Sequence, residues 1–165
     1  MNDEKVKVLI VDDEQALLNS LTRRLGVRDF HVIGVSRGEE ALEAARRNHV
    51  DVAVVDIKMP GMKGQDVMLA LKKEYPWMEV IILTGHGSFD PDGEGIADKI
   101  HSCLAKPCDL STLQAALTNA YRKTVMNRHK IGPREMESLL GTGDDQTPGG
   151  VLQQLKAIDG KSGVY

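Results

Sequence analysis

Five short apolar or β-branched runs, separated by stretches of helical periodicity, constrain this chain more than any other feature. The runs are Val6 to Val11, His31 to Val35, Val52 to Ile57, Val80 to Leu83 and a weaker one from Ser102 to Ala105. After the first run, Ala16, Leu17, Leu18, Leu21 and Leu25 repeat at helical spacing, and Gly26 supplies a stop. Ser36-Arg37-Gly38-Glu39 reads as a capping box that opens a helix through Ala41, Leu42 and Ala45. Val67, Met68, Leu71 and Tyr75 mark a third helix, ended by Pro76. Asp109 is placed to cap a helix carrying Leu110, Leu113, Leu117, Ala120 and Tyr121. Strands alternating with helices predict a parallel sheet with helices on both faces. Unbroken apolar runs, rather than alternating ones, fit strands buried on both sides. The expected architecture is a doubly wound α/β domain over about residues 5 to 125.

One βα unit is weak. Phe89-Asp90-Pro91-Asp92-Gly93-Glu94-Gly95-Ile96 puts a proline and two glycines where a fourth helix belongs. Each interior glycine costs a helix ~1 kcal/mol against alanine, and proline ~3. If a helix forms there, it is expected to be short and to start late, near Gly95. Residues 126 to 165 read as an extension: "GTGDDQTPGG", Gly141 to Gly150, is a linker by composition. Thr147-Pro148 is placed to open a short helix through Leu152, Leu155 and Ile158. Such a piece is too short to persist alone in water. It is expected either to fray or, with Leu139 and Leu140, to dock on the domain or support a homodimer.

Composition excludes several classes. A 165-residue chain with 41% apolar and 27% charged residues has enough material for one substantial core. A net charge of -3 gives no general attraction to nucleic acid or to a membrane surface. No apolar run approaches the ~20 residues of a membrane span, and Met1-Asn2-Asp3-Glu4-Lys5 lacks the order of a signal peptide. A cytoplasmic location is therefore expected. Cys103 and Cys108 fit no zinc or disulfide spacing and read as reduced, partly buried thiols. "YRKTVMNRHK", Tyr121 to Lys130, carries four Lys/Arg and no acid. It reads as cations suited to a helix C-terminus rather than as a nucleic-acid contact.

In an open α/β sheet, ligands bind beyond the carboxyl ends of the strands. The first strand delivers Asp12 and Asp13, the third Asp56, the fourth Thr84, and the fifth Lys106 before Pro107. Three carboxylates, a hydroxyl and an ammonium thus converge on one edge. Two unit charges ~4 Å apart repel by about 4 kcal/mol at an effective dielectric of 20. Such a cluster needs a cation or a raised pKa. Oxygen donors without His or Cys favour a hard ion, Mg²⁺, which keeps open positions for phosphate oxygens. A carboxylate is itself able to accept a phosphoryl group. Lys106 and the metal would then neutralise charge on its oxygens, and Thr84 would donate a hydrogen bond.

"LIVDDE", "VVDIKMPGMKG", "ILTGHGS" and "KP" together resemble the receiver domain of two-component response regulators, over about residues 5 to 125. The resemblance implies a flavodoxin-like five-stranded parallel sheet of order 2-1-3-4-5 with five helices. It implies that Asp56 accepts a phosphoryl group from a histidine kinase or phosphotransfer protein. Asp13, Asp56 and the Lys58 carbonyl would hold Mg²⁺ directly, and Asp12 through water. Lys106 would contact the phosphoryl group, Thr84 would start the switch, and Lys106-Pro107 would be cis. Lys58 and His86 stand at positions that tune phosphoryl lifetime. Where the family usually has Tyr or Phe, three residues before the lysine, this chain has Cys103, with no ring to swing. The Phe89 to Ile96 segment is expected to change its order instead.

The resemblance implies a signalling switch rather than an independent enzyme, one that catalyses only its own phosphorylation and dephosphorylation. No helix-turn-helix, P-loop or dinucleotide motif is evident. The expected function is a single-domain regulator or phosphorelay intermediate acting on a protein partner, without membrane or direct nucleic-acid binding. The alternative is the receiver portion of a longer DNA-binding transcriptional regulator.

Overall fold

A computed structural model describes residues 5–85, 89–93, 95–141 and 147–161. Five parallel strands form one sheet of order β2-β1-β3-β4-β5. They are β1 (Val6–Val11), β2 (Phe30–Val35), β3 (Val52–Asp56), β4 (Glu79–Thr84) and β5 (Ser102–Ala105). The central strands β3 and β4 are buried along their whole length, as their unbroken apolar runs require.

Helices cover both faces. Helix α1 (Gln15–Gly26) and helix α4 (Leu110–His129) lie on one side, where Leu18, Leu21, Leu25, Leu113 and Leu117 meet Val8, Ile10, Val54 and Ile81. Helix α2 (Ala41–Asn48) and helix α3 (Gly64–Glu74) lie on the other, where Ala41, Val67, Met68 and Leu71 meet Leu9, Val55 and Ile82. Alternate strand residues thus serve two separate cores, the consequence of a two-residue side-chain period.

Two local expectations are corrected. The capping box at Ser36 to Glu39 does not form: Gly38–Glu40 is a 3₁₀ turn without a side-chain cap, and α2 begins at Ala41. The Glu39 carboxylate instead accepts the Met62 amide at 3.3 Å, tying the turn to the loop before α3. Between β4 and β5 the described residues hold no α-helix. A turn around Pro91 to Gly93 leads to a 3₁₀ turn at Ala97–Lys99, with Ile96 buried as its anchor. The fourth helix of the resembled fold is therefore missing at that place among the described residues. Alternate residues of edge strand β5 are left open, so Cys103 is exposed rather than partly buried; Cys108 is half-buried.

Helix α4 is capped as its sequence predicts, with the Asp109 carboxylate accepting the Thr112 amide at 3.0 Å. It runs on past residue 125 to His129. Two more helices follow, α5 (Pro133–Leu140) and α6 (Pro148–Lys161). Met136, Leu152 and Leu155 join the core on the α1/α4 side, and Leu140 and Ile158 pack against it, while Leu139 is 50% exposed. The tail docks through one apolar stripe.

That docking also explains the basic stretch at the end of α4. Arg128 is buried, with Nη2 3.1 Å from Asp51 Oδ1 and Nη1 2.8 Å from Asp159 Oδ2, and its guanidinium lies 4.0 Å from the centroid of the Trp77 ring. His129 Nε2 is 2.6 Å from Asp159 Oδ1, and the Tyr121 hydroxyl donates to Asp159 at 2.8 Å. Residues read from sequence as helix-end cations are thus partly consumed inside the fold, at the end of the sheet opposite the acidic edge.

Candidate functional site

The strand ends place the acidic edge through backbone hydrogen bonds that continue the sheet. The Asp12 amide donates to Val35 O at 3.1 Å, the Ile57 amide to Leu83 O at 3.1 Å, and the Lys106 amide to Thr84 O at 2.7 Å. The chain is thereby held at the exits of β1, β3 and β5. Lys106-Pro107 is cis, as the resemblance implies.

Asp12 and Asp56 are buried and Asp13 is exposed. One carboxylate oxygen from each lies within 4.8 Å of the other two. The Lys106 ammonium sits among acids: 2.7 Å from Asp12 Oδ2, 2.9 Å from Glu14 Oε1 and 3.4 Å from Asp56 Oδ2. The Lys58 amide donates to Asp56 Oδ1 at 3.1 Å, while the Lys58 side chain points to solvent. Thr84 is buried at the end of β4, paired in register with Ala105. Cys103 lies on β5, three residues before Lys106, with no ring to close over the site. His86 falls outside the described residues.

Burial pushes the Asp56 carboxyl above the usual carboxylate range. The Lys58 amide opposes this, Asp12 adds to it, and Lys106 opposes it. Burial alone would lower the Lys106 pKa, but the neighbouring Asp12, Glu14 and Asp56 carboxylates leave it raised. Lys106 stays an ammonium, and Asp56 resists its own charge. The all-oxygen donor set, with more negative charge than one ammonium balances, fits a hard divalent cation better than zinc or copper.

Sequence reading missed two parts of this edge. Glu14, which follows Asp12 and Asp13 directly in the chain, shares Lys106 with Asp12 and Asp56. Gly64, the first residue of α3, packs under β3 so closely that a Cβ would overlap the Asp56 carbonyl oxygen and lie 2.7 Å from Ile57 Cα. Its only sequence signal was a glycine where a helix begins.

A doubly wound parallel sheet with a carboxylate cluster and a lysine at its carboxyl edge is the arrangement expected of a response-regulator receiver. Comparison with known proteins agrees: the model of the response regulator receiver domain matches residues 8–118, and the chain belongs to this family. The luminescence regulatory protein LuxO of Vibrio campbellii is 29% identical over 152 residues, 91% of this chain and 33% of that protein. The two-component response regulator PhoP of Pseudomonas aeruginosa is 34% identical over 131 residues, 78% of this chain and 58% of that protein. A response regulator receiver domain from Clostridium thermocellum superposes with a TM-score of 0.66 at 34% identity, covering 76% of this chain and 98% of that one. The chain spans about a third of the length of the LuxO relatives. No described helix is long and apolar enough to cross a membrane.

Proposed function

We propose that this chain is a phospho-acceptor switch in which Asp56 takes a phosphoryl group from the phosphohistidine of a histidine kinase or phosphotransfer protein. The observation that carries the reading is the Lys106 ammonium lodged among Asp12, Glu14 and Asp56, beside three carboxylate oxygens that lie within 4.8 Å of one another. An Asp56 carboxylate oxygen attacks phosphorus, an O–P bond forms, the P–N bond breaks, and the imidazole nitrogen keeps the bonding pair. Asp12, Asp13, Asp56 and the Lys58 carbonyl would hold Mg²⁺, which supplies positive charge to the phosphoryl oxygens. Lys106 adds a second positive charge. Buried Thr84, on the strand beside Asp56, is the hydroxyl that answers the new group. Lys58 and His86 tune its lifetime by setting water access.

The modified domain then changes its binding to a protein partner in the cytoplasm, without contact to membrane or nucleic acid. Cys103 offers no ring for an inward swing, so the Phe89 to Ile96 segment carries the change. Hydrogen exchange there, with and without a phosphoryl mimic, tests that assignment, and equal protection rejects it.

The decisive experiment is intact mass after incubation with acetyl phosphate and Mg²⁺. One added phosphoryl group, lost in Asp56→Ala and without metal, is expected. No addition under conditions that label another receiver overturns the reading. A second reading keeps the same chemistry: the chain is the receiver portion of a longer transcriptional regulator. The one-third coverage of the LuxO relatives favours it, and a reading frame that continues past Tyr165 decides it.

A further inference from the structure

We infer that Glu14 is a positioning residue that restrains Lys106 before phosphoryl transfer, an inference that rests on the phospho-acceptor reading above. An ammonium has three protons to donate. In this structure its three acidic neighbours are Asp12 at 2.7 Å, Glu14 at 2.9 Å and Asp56 at 3.4 Å. The ammonium donates to Glu14 and Asp56, and a phosphoryl oxygen arriving at Asp56 therefore competes with Glu14 for the lysine.

The three acids differ in how easily they yield. Asp12 and Asp56 are buried at the exits of strands and belong to the carboxylate cluster. Glu14 is 61% exposed at its side chain and lies outside that cluster. It also stands at the start of α1, where an acid normally turns toward the free amides of the first helical turn. Its side chain makes no such cap; it reaches across to the loop after β5 instead. The contact to Lys106 is thus the one polar role the structure gives this carboxylate among the described residues.

Two effects follow, of the same sign. Glu14 competes with the incoming oxygens for the lysine, and it presents a negative charge to an anionic donor. Both slow the transfer, so Glu14 acts as a brake on loading Asp56. Because the pair is exposed, salt weakens it.

The test compares initial labelling rates of the wild-type chain and Glu14→Gln with acetyl phosphate at saturating Mg²⁺, at low and high ionic strength. Glu14→Gln is expected to label about threefold faster at low salt, the scale of an exposed ion pair, and the gap should narrow at high salt. Equal or slower labelling at low salt overturns the inference. A second readout needs neither metal nor donor: the Lys106 ε-methylene resonance of the metal-free protein is expected to move in Glu14→Gln. An unmoved resonance overturns the pairing. If the resonance moves but neither protein labels, the pairing stands, while the phospho-acceptor reading and the brake that depends on it both fall.

Discussion

Arg128 Nη1 lies 2.8 Å from Asp159 Oδ2 and so joins the last turn of α4 to the end of α6. The same carboxylate also takes the Tyr121 hydroxyl and the His129 ring nitrogen, and the same guanidinium reaches Asp51 at the start of β3. One acid from the tail thereby gathers three side chains of α4 at the base of the sheet. Removing it takes one acceptor from each of the three, while Arg128 keeps Asp51. Asp159→Ala is expected to cost about 2–3 kcal/mol of folding stability. Urea unfolding followed by Trp77, the one tryptophan, which stacks on Arg128, measures this. A loss below about 1 kcal/mol would show that the tail is held by its apolar stripe alone.

Gly64 predicts a different failure, at the opposite edge. A Cβ there meets backbone of Asp56 and Ile57, not the tip of a flexible side chain. Neither strand β3 nor the start of α3 is able to yield without moving the acceptor. Gly64→Ala is therefore expected to destabilise by about 3 kcal/mol and to slow labelling of Asp56 more than Asp159→Ala does. Thermal melting and intact-mass labelling on the same samples separate the two effects. A Gly64→Ala protein that labels at the wild-type rate removes Gly64 from the site's support.

The sheet was legible because burial on both faces forces unbroken apolar runs, and Val52 to Val55 and Val80 to Leu83 show them plainly. The carboxyl edge was legible for a related reason: a polar residue ending such a run has one place to go. Contacts made by long side chains between distant segments were not. Glu39 looked like a capping residue but bonds the Met62 amide, which no local pattern announces. Arg128 looked like a helix-end cation because its partner, Asp159, lies beyond a linker. Exposure of Cys103 depended on a helix that Pro91, Gly93 and Gly95 keep from forming. The segment itself was readable; its consequence for the next strand was not.

Asp56 carries its charge at a cost to the fold. Burial, and then Asp12 nearby, raise its pKa above the ordinary value. The folded protein thus holds that proton more tightly than the unfolded chain does. Stability therefore falls as pH rises from about 3.9 through the raised folded value, and the penalty persists at neutral pH. Asp56→Asn removes the charge and is expected to gain about 1 kcal/mol at pH 7 without metal. Adding Mg²⁺ should shrink the gain, since a bound cation stabilises only the charged cluster. Melting curves of both proteins with and without Mg²⁺ check this; a less stable Asn variant contradicts it.

Tyr121 sets the alkaline limit. Burial first, then Asp159 and Asp51, push its hydroxyl well above the ordinary tyrosine range. The folded chain keeps this proton where the unfolded chain has lost it. Its contribution is complete below the unfolded value of about 10 and is lost as pH rises further, so unfolding free energy should fall above that pH. Lys106, whose pKa is also raised, adds to the same decline. Tyr121→Phe is expected to lose about 1–2 kcal/mol at pH 7, where the bond to Asp159 disappears, but to show a shallower fall above pH ~10. Urea midpoints for the two proteins across that range give both slopes. Parallel slopes would mean that Tyr121 ionises freely in the folded chain and that its bond to Asp159 is not kept in solution.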